Sequence, residues 1–243
     1  MKNAVFSGSV SVDGTTVLSF DNTVPDLSGA HYVQVTSGAL SGTIMDIVSS
    51  DSSTVTLETV LPIASGDIVL VRPHFLIEDL GTEFTSGSSV TLYNSDGTQA
   101  VSTYLNNFLG MGWDGEHTSP IYPGEGFVLI STGPFEIIYS GAVSVDPVLY
   151  YGSGGLVNII GALSPNDVDA TVLFDDLPGS STISVYSNGS GLLNPTVYTK
   201  APDFLGGAWN PDISLIDFGG DAAVVVIPSQ DTPIPIPPTI VLE

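Results

Sequence analysis

The chain reads as an all-β protein, an antiparallel sandwich or barrel-like fold of two duplicated β units with Gly/Pro-rich turns and little or no helix. Three observations predict this. Short runs alternate apolar and polar residues, the 27 Gly and 17 Pro fall mostly between those runs, and one block of sequence occurs twice. Period-two alternation of β-branched and aromatic residues marks a strand with one face buried.

The alternating runs are Val10-Ser11-Val12, Tyr32-Val33-Gln34-Val35, Thr54-Val55-Thr56-Leu57, Val90-Thr91-Leu92-Tyr93 and Ile183-Ser184-Val185-Tyr186. Turn signals separate them: Asp13-Gly14, Ser65-Gly66-Asp67, Asp96-Gly97 and Asn188-Gly189. The continuous apolar runs Ile68-Val69-Leu70-Val71 and Ala223-Val224-Val225-Val226-Ile227 read as strands buried on both faces. Ser102 to Phe108 admits a short helical turn.

The duplication is carried by Phe108-Leu109-Gly110-Met111-Gly112-Trp113-Asp114 and Phe204-Leu205-Gly206-Gly207-Ala208-Trp209-Asn210. Continued without a gap, Tyr122-Pro123-Gly124-Glu125-Gly126 aligns with Phe218-Gly219-Gly220-Asp221-Ala222. Upstream, Val90-Thr91-Leu92-Tyr93 parallels Ile183-Ser184-Val185-Tyr186. Gly38-Ala39-Leu40-Ser41 recurs as Gly161-Ala162-Leu163-Ser164, and Gly8-Ser9-Val10-Ser11-Val12-Asp13 as Gly141-Ala142-Val143-Ser144-Val145-Asp146. Anchors recurring in one order indicate a first unit over 1–140 and a shortened second over 141–230. Each tryptophan is expected to cap one end of its β core.

Residues 231–243 form a third segment, a Pro-rich tail too rich in proline for a central strand. Ile234 and Ile236 point one way if the chain is extended. Together with Ile240, Val241 and Leu242 they are expected to dock on a sheet edge, the chain's own or a neighbour's.

Composition narrows the function. Three Lys and Arg stand against 26 Asp and Glu, a formal net charge of -23. Lys2, Arg72 and Lys200 cannot neutralise a phosphate backbone, so nucleic acid is not an expected partner. No stretch approaches the length of a membrane helix, and membrane insertion is not expected. Charged residues are only 12% of the chain and hydrophobic ones 42%, against about 25% charged in ordinary soluble domains. Part of the surface is therefore expected to be covered by self-association. There is no cysteine, so neither disulfides nor thiolate metal sites operate. Met1 to Gly8 lacks an apolar signal core; with the Leu242-Glu243 end, this leads us to expect that a signal segment has been removed.

Tyr32 to Gly42, then Gly66-Asp67-Ile68-Val69-Leu70-Val71-Arg72-Pro73, then Trp113, then Pro123-Gly124-Glu125-Gly126-Phe127 form a recognisable order. Over about residues 4–133 it resembles an uncharacterised family of exported β-rich proteins known chiefly from Verrucomicrobia-type bacteria. The sequence departs from that pattern at His74-Phe75-Leu76-Ile77, and the second unit is a degenerate copy. The resemblance implies export and β architecture and transfers no catalytic residue.

The densest group of potential metal ligands is Asp114-Gly115-Glu116-His117; Asp114 and Glu116 could aim at one calcium ion. Asn94-Ser95-Asp96-Gly97 and Asn166-Asp167-Val168-Asp169 are incomplete calcium-loop fragments, better read as turns. His31, His74 and His117 lack zinc-ligand spacing. No nucleophile elbow occurs, and the adjacent pairs Glu78-Asp79 and Asp175-Asp176 would face opposite sides of a strand. Trp113, Tyr122, Trp209 and Phe218 are the candidate stacking platforms for glycans. The expectation is a non-catalytic extracellular or cell-surface structural protein, a subunit of a filament, sheath or layer. A carbohydrate-binding or adhesive module and a viral capsid or fibre protein are the alternatives.

Overall fold

A computed structural model describes residues 2–11, 16–27, 30–94, 96–108, 110–134, 148–161, 168–187, 195–218 and 222–236. The turn signals Asp13-Gly14 and Asn188-Gly189, and the Asn166-Asp167 fragment, lie outside them. The fold is all-β, with antiparallel pairing and one α-helix among the described residues. The chain divides into two compact units, Met1–Phe75 with Ser140–Leu149, and Leu76–Tyr139 with Tyr150–Glu243. Both tryptophan segments fall in the second.

The first unit holds β1 (Phe6–Ser9), β2 (Val17–Ser19), β3 (His31–Val35), β4 (Ile44–Ser50), β5 (Thr54–Leu57) and β6 (Ile68–Pro73). They form one sheet in the order β1-β6-β3-β4-β5-β2. A bridge between Val10 and Phe20 joins the chain just beyond its two outer strands, so the sheet curls upon itself. Alternate residues fill its interior: Val33 and Val35, Val55 and Leu57, Val69 and Val71. At the seam Phe6 and Phe20 meet edge to face, 5.1 Å between ring centres. Gly8 permits this, because a Cβ there would lie 2.8 Å from both rings. The apolar run at 68–71 is buried on one face rather than both, since Ile68 remains 45% exposed.

On the other side of β3 and β6 lies a buried polar layer. Arg72 Nε donates to Gln34 Oε1 at 3.1 Å, and its Nη1 to the Lys2 carbonyl at 2.9 Å. His74 Nε2 lies 3.1 Å from Asp46 Oδ1, and its ring stacks against Tyr32. Burial pushes the Tyr32 phenol up to about 12, opposed by the Arg72 charge.

In chain order the remaining strands are β7 (Phe75–Leu76), β8 (Ser89–Tyr93), β9 (Gln99–Asn107), β10 (Gly110–Gly115), β11 (Pro120–Ile121) and β12 (Val128–Ile130). After them come β13 (Val148–Gly152), β14 (Asn158–Ile160), β15 (Val168–Asp169), β16 (Thr182–Ser187), β17 (Thr196–Lys200), β18 (Trp209–Asn210), β19 (Asp217–Phe218), β20 (Ala222–Ile227) and β21 (Thr232–Ile236). Helix α1 is Ala170–Phe174, capped by Asp169, whose Oδ1 accepts from the Thr171 N–H at 2.9 Å. Residues 102–107 are not helical but belong to β9, because their backbone pairs with β10 throughout and with β8 at Ser102 and Thr103.

The second unit contains two sheets of like order, β10-β9-β8-β12 and β14-β20-β16-β17-β18. Their registers agree residue for residue. Tyr104 opposes Trp113 as Lys200 opposes Trp209, and Ser89 opposes Thr103 as Thr182 opposes Thr199. Val128 opposes Thr91 as Val225 opposes Ser184. This last pair corrects the ungapped alignment read from the sequence, which would match Val128 to Val224. One extra residue between Trp209 and β20 shifts the correspondence.

The agreement extends to side chains. Tyr104 Oη donates to the Thr82 carbonyl at 2.8 Å. In the other sheet Lys200 Nζ donates to the carbonyls of Asp175 and, at 2.7 Å, Leu177, just past the end of α1. A phenol and an ammonium thus tie an inner strand of each sheet, β9 or β17, to the chain entering it. Replacing Lys200 with Met should leave two carbonyls without that donor and lower stability by about 2–3 kcal/mol, against about 1 kcal/mol for Tyr104→Phe. Urea denaturation of both variants measures the difference.

Candidate functional site

The two tryptophans occupy different sheets. Trp113 is buried on β10 and packs against Phe84 at 4.9 Å and Tyr104 at 5.4 Å between ring centres. Its Nε1 donates to the Gly81 carbonyl at 3.0 Å. These contacts make the indole part of the core. Trp209 is half-buried under Lys200, whose Nζ lies 5.8 Å from the ring centre. Its buried Nε1 has no hydrogen-bond partner among the described residues. Tyr122 is half-buried, and its N–H donates to Glu125 Oε2 at 2.9 Å. The backbone of Phe218 lies in β19; its side chain is outside the described residues, as are Ile240, Val241 and Leu242.

Asp114 and Glu116 are both exposed beside the end of β10. Asp114 Oδ1 accepts from the Gly115 N–H at 2.9 Å. His117 Nδ1 lies 3.0 Å from the Gly115 carbonyl, and its Nε2 3.7 Å from Glu78 Oε2. Among the described residues no group of three or more His, Cys, Asp or Glu is placed to hold a metal. The turn aspartates have local work. Asp96 Oδ1 takes both the hydroxyl and the N–H of Thr98, which hold its carboxyl below the usual range. Asp51 does the same with the N–H groups of Ser53 and Thr54.

All three basic side chains have partners of their own. Arg72 and Lys200 are buried, and Lys2 lies 6.0 Å from the centre of the Phe75 ring.

Phe-Leu-Gly opens both copies of the repeat, and in both the phenylalanine lies outside the core. Phe108 is 95% exposed and Phe204 85% exposed. Phe108 lies at the tip of the β9–β10 hairpin, where Asn107 pairs with Gly110. Phe204 lies on a 3-10 turn, Asp203–Leu205, between β17 and β18. That turn is held by the Leu205 N–H on the Pro202 carbonyl and by Asp203 Oδ1 accepting from the Gly179 N–H at 3.0 Å. Gly206 closes it at φ 98°, a conformation that favours glycine. Met111 at 65% and Leu205 at 67% widen the apolar tips. Burying a phenylalanine contributes about 1.5–3 kcal/mol, and neither tip gains it within the chain. The sequence signal was the repeated Phe itself; apolar character alone suggests burial.

A third group gathers around Glu125. The loop holding it lies against β14: the Gly126 N–H donates to the Ile159 carbonyl at 2.7 Å, and the Gly161 N–H to the Gly124 carbonyl at 3.1 Å. Burial pushes the Glu125 carboxyl up to about 7, opposed by the Tyr122 N–H. Burial, reinforced by the negative charge of Glu125, also pushes the Tyr150 phenol well up.

No protein-family model, curated protein or solved structure matches the chain. In variants that keep one tryptophan each (Trp209→Phe and Trp113→Phe), acrylamide should quench Trp113 weakly and Trp209 more strongly. Equal, strong quenching would place Trp113 at the surface.

Proposed function

We propose that this chain is a non-catalytic structural subunit of an extracellular or cell-surface assembly, a filament, sheath or layer, built on a duplicated β unit. The observation that carries the reading is the pair of exposed apolar tips, Phe108 with Met111 and Phe204 with Leu205. Two halves that differ at the Tyr104 and Lys200 positions both keep a phenylalanine where folding gains nothing from it. Apolar groups held out on ordered turns serve contact with another molecule. The matching registers of the two sheets support the duplication, and each chain then offers two like contacts.

Charge supports the same reading. With Arg72 and Lys200 buried and Lys2 the one remaining cation, the surface is left almost wholly to the carboxylates, which repel phosphate polymers and anionic lipid surfaces. The tips themselves carry few charges: Asn106-Asn107-Phe108 contains none, and the turn Asp203–Leu205 contains one, Asp203. The partner is therefore best read as an apolar patch on another copy. The carbohydrate-platform alternative gains nothing from Trp113, whose indole is enclosed.

Size-exclusion chromatography with light scattering, followed by negative-stain microscopy, tests the proposal. The wild-type chain should give regular polymers. Phe108→Ser with Phe204→Ser should give monomers whose melting temperature is unchanged or higher. A wild type that stays monomeric, or a double variant that polymerises as before, would sink it.

A further inference from the structure

The sheets that carry the two tryptophans end differently. Each has an outer strand, β10 in one and β18 in the other, paired on one side only among the described residues. Strand β18 has two residues, and Pro211, which follows it, has no N–H to offer a further strand. Strand β10 has six, Gly110–Gly115, with no proline and Asp114 as its one charge. Natural proteins shorten or break such edges to keep other strands away. That protection is present on β18 and missing from β10.

The hydrogen bonds around β10 show which of its groups face outward. On the β8 side of β9, the Tyr104 N–H donates to the Ser88 carbonyl at 2.8 Å and the Tyr104 carbonyl accepts from the Gly87 N–H at 2.8 Å. On the β10 side, the Glu116 N–H donates to the Val101 carbonyl at 3.1 Å. Antiparallel pairing alternates, so Gly110, Gly112 and Asp114 exchange bonds with β9, while Met111 and Trp113 turn N–H and C=O outward. Neither of these two has another backbone partner among the described residues. The edge is also open in space. Met111 is 65% exposed, and nothing lies within 4 Å of a Cβ built on Gly110 or Gly112.

We propose that β10 is a self-pairing edge, which joins the four-stranded sheets of two copies into one continuous sheet. The Pro-rich strand of the chain is not its occupant: β21 pairs with β13, and Ile234 and Ile236 are buried to 0% and 2% exposure. Two β10 strands laid antiparallel about Gly112 match each other. Met111 then stands opposite Trp113 of the second copy, each such pair exchanging both its N–H···O bonds. Gly112 faces Gly112 in the closer type of pair, where neither brings a side chain. Asp114 falls opposite Gly110 and about 14 Å along the strand from its own counterpart. That exceeds the roughly 8 Å over which charges act at physiological ionic strength. Centring on Trp113 instead would call on the Gly115 carbonyl, which already lies 3.0 Å from His117 Nδ1. The inference rests on the assembly reading and adds direction to it: the edge sets the register, while Met111 and Phe108 supply apolar area.

Hydrogen exchange on the full chain tests it, with light scattering giving the associated fraction. The Met111 amide should exchange about tenfold more slowly in associated chains than in monomers obtained by dilution. The Asp114 amide, bonded to β9, should be protected in both. A Met111 amide that exchanges equally fast in the two states overturns the edge pairing and leaves the tip contacts standing; a chain that never associates overturns both. Two variants give a second measure. Gly112→Asp sets carboxylates face to face at the axis, and Gly112→Asn makes the same backbone demand without charge. The Asp variant should need about fivefold more protein to associate than the Asn variant, and equal behaviour of the two refutes the pairing.

Discussion

The second unit depends on one kind of interaction, a buried side-chain donor that ties an inner strand of each sheet to carbonyls of the chain entering it. Tyr104 does this at Thr82, with Trp113 taking the neighbouring Gly81 carbonyl. Lys200 does it alone at Asp175 and Leu177. The difference has a local cause. Where the first sheet is entered by a 3-10 turn, Ile77–Leu80, the second is entered by α1. At the end of α1 the Phe174 carbonyl accepts from the Leu177 N–H at 3.1 Å. Trp209 Nε1 has no partner among the described residues, and the Lys200 ammonium lies over its ring.

These ties make the tips what they are. A hairpin end or turn that is itself anchored can hold a phenylalanine in water without collapsing onto the sheet. The anchoring also uses up cations: Lys200 in one sheet and Arg72 in the first unit are internal. The result is a surface whose charge is nearly all of one sign, interrupted by small apolar points. Such a surface repels polyanions, and the proposed contacts between copies are ones that do not depend on charge.

Much of the architecture was legible in the residues. Thr54–Leu57 and Val90–Tyr93 are strands because their alternation matches the pleat, and Ile234 and Ile236 turn inward together as their spacing requires. Other features needed the partner strand. Ser102 to Phe108 looks ambivalent alone and becomes extended once β8 and β10 flank it. Helix α1, Ala-Thr-Val-Leu-Phe, has a β-prone composition and forms because Asp169 caps it and its Ala170, Leu173 and Phe174 find a core. Phe108 has the apolarity of a core residue, and only its place at the hairpin turn shows that it is exposed. The raised carboxyl of Glu125 was invisible in sequence, since the strand its loop lies against, at Ile159 and Ile160, is far along the chain.

The central claim is that contacts between copies are apolar and are opposed by charge. Sedimentation velocity across sodium chloride concentrations tests it directly. Screening shortens the reach of repulsion from about 10 Å at 0.1 M to about 3 Å at 1 M and leaves apolar contacts in place. The account predicts that particle mass rises with salt. Particles that are largest at low salt and dissociate as salt is added would show that ionic pairs hold the assembly, and would contradict it.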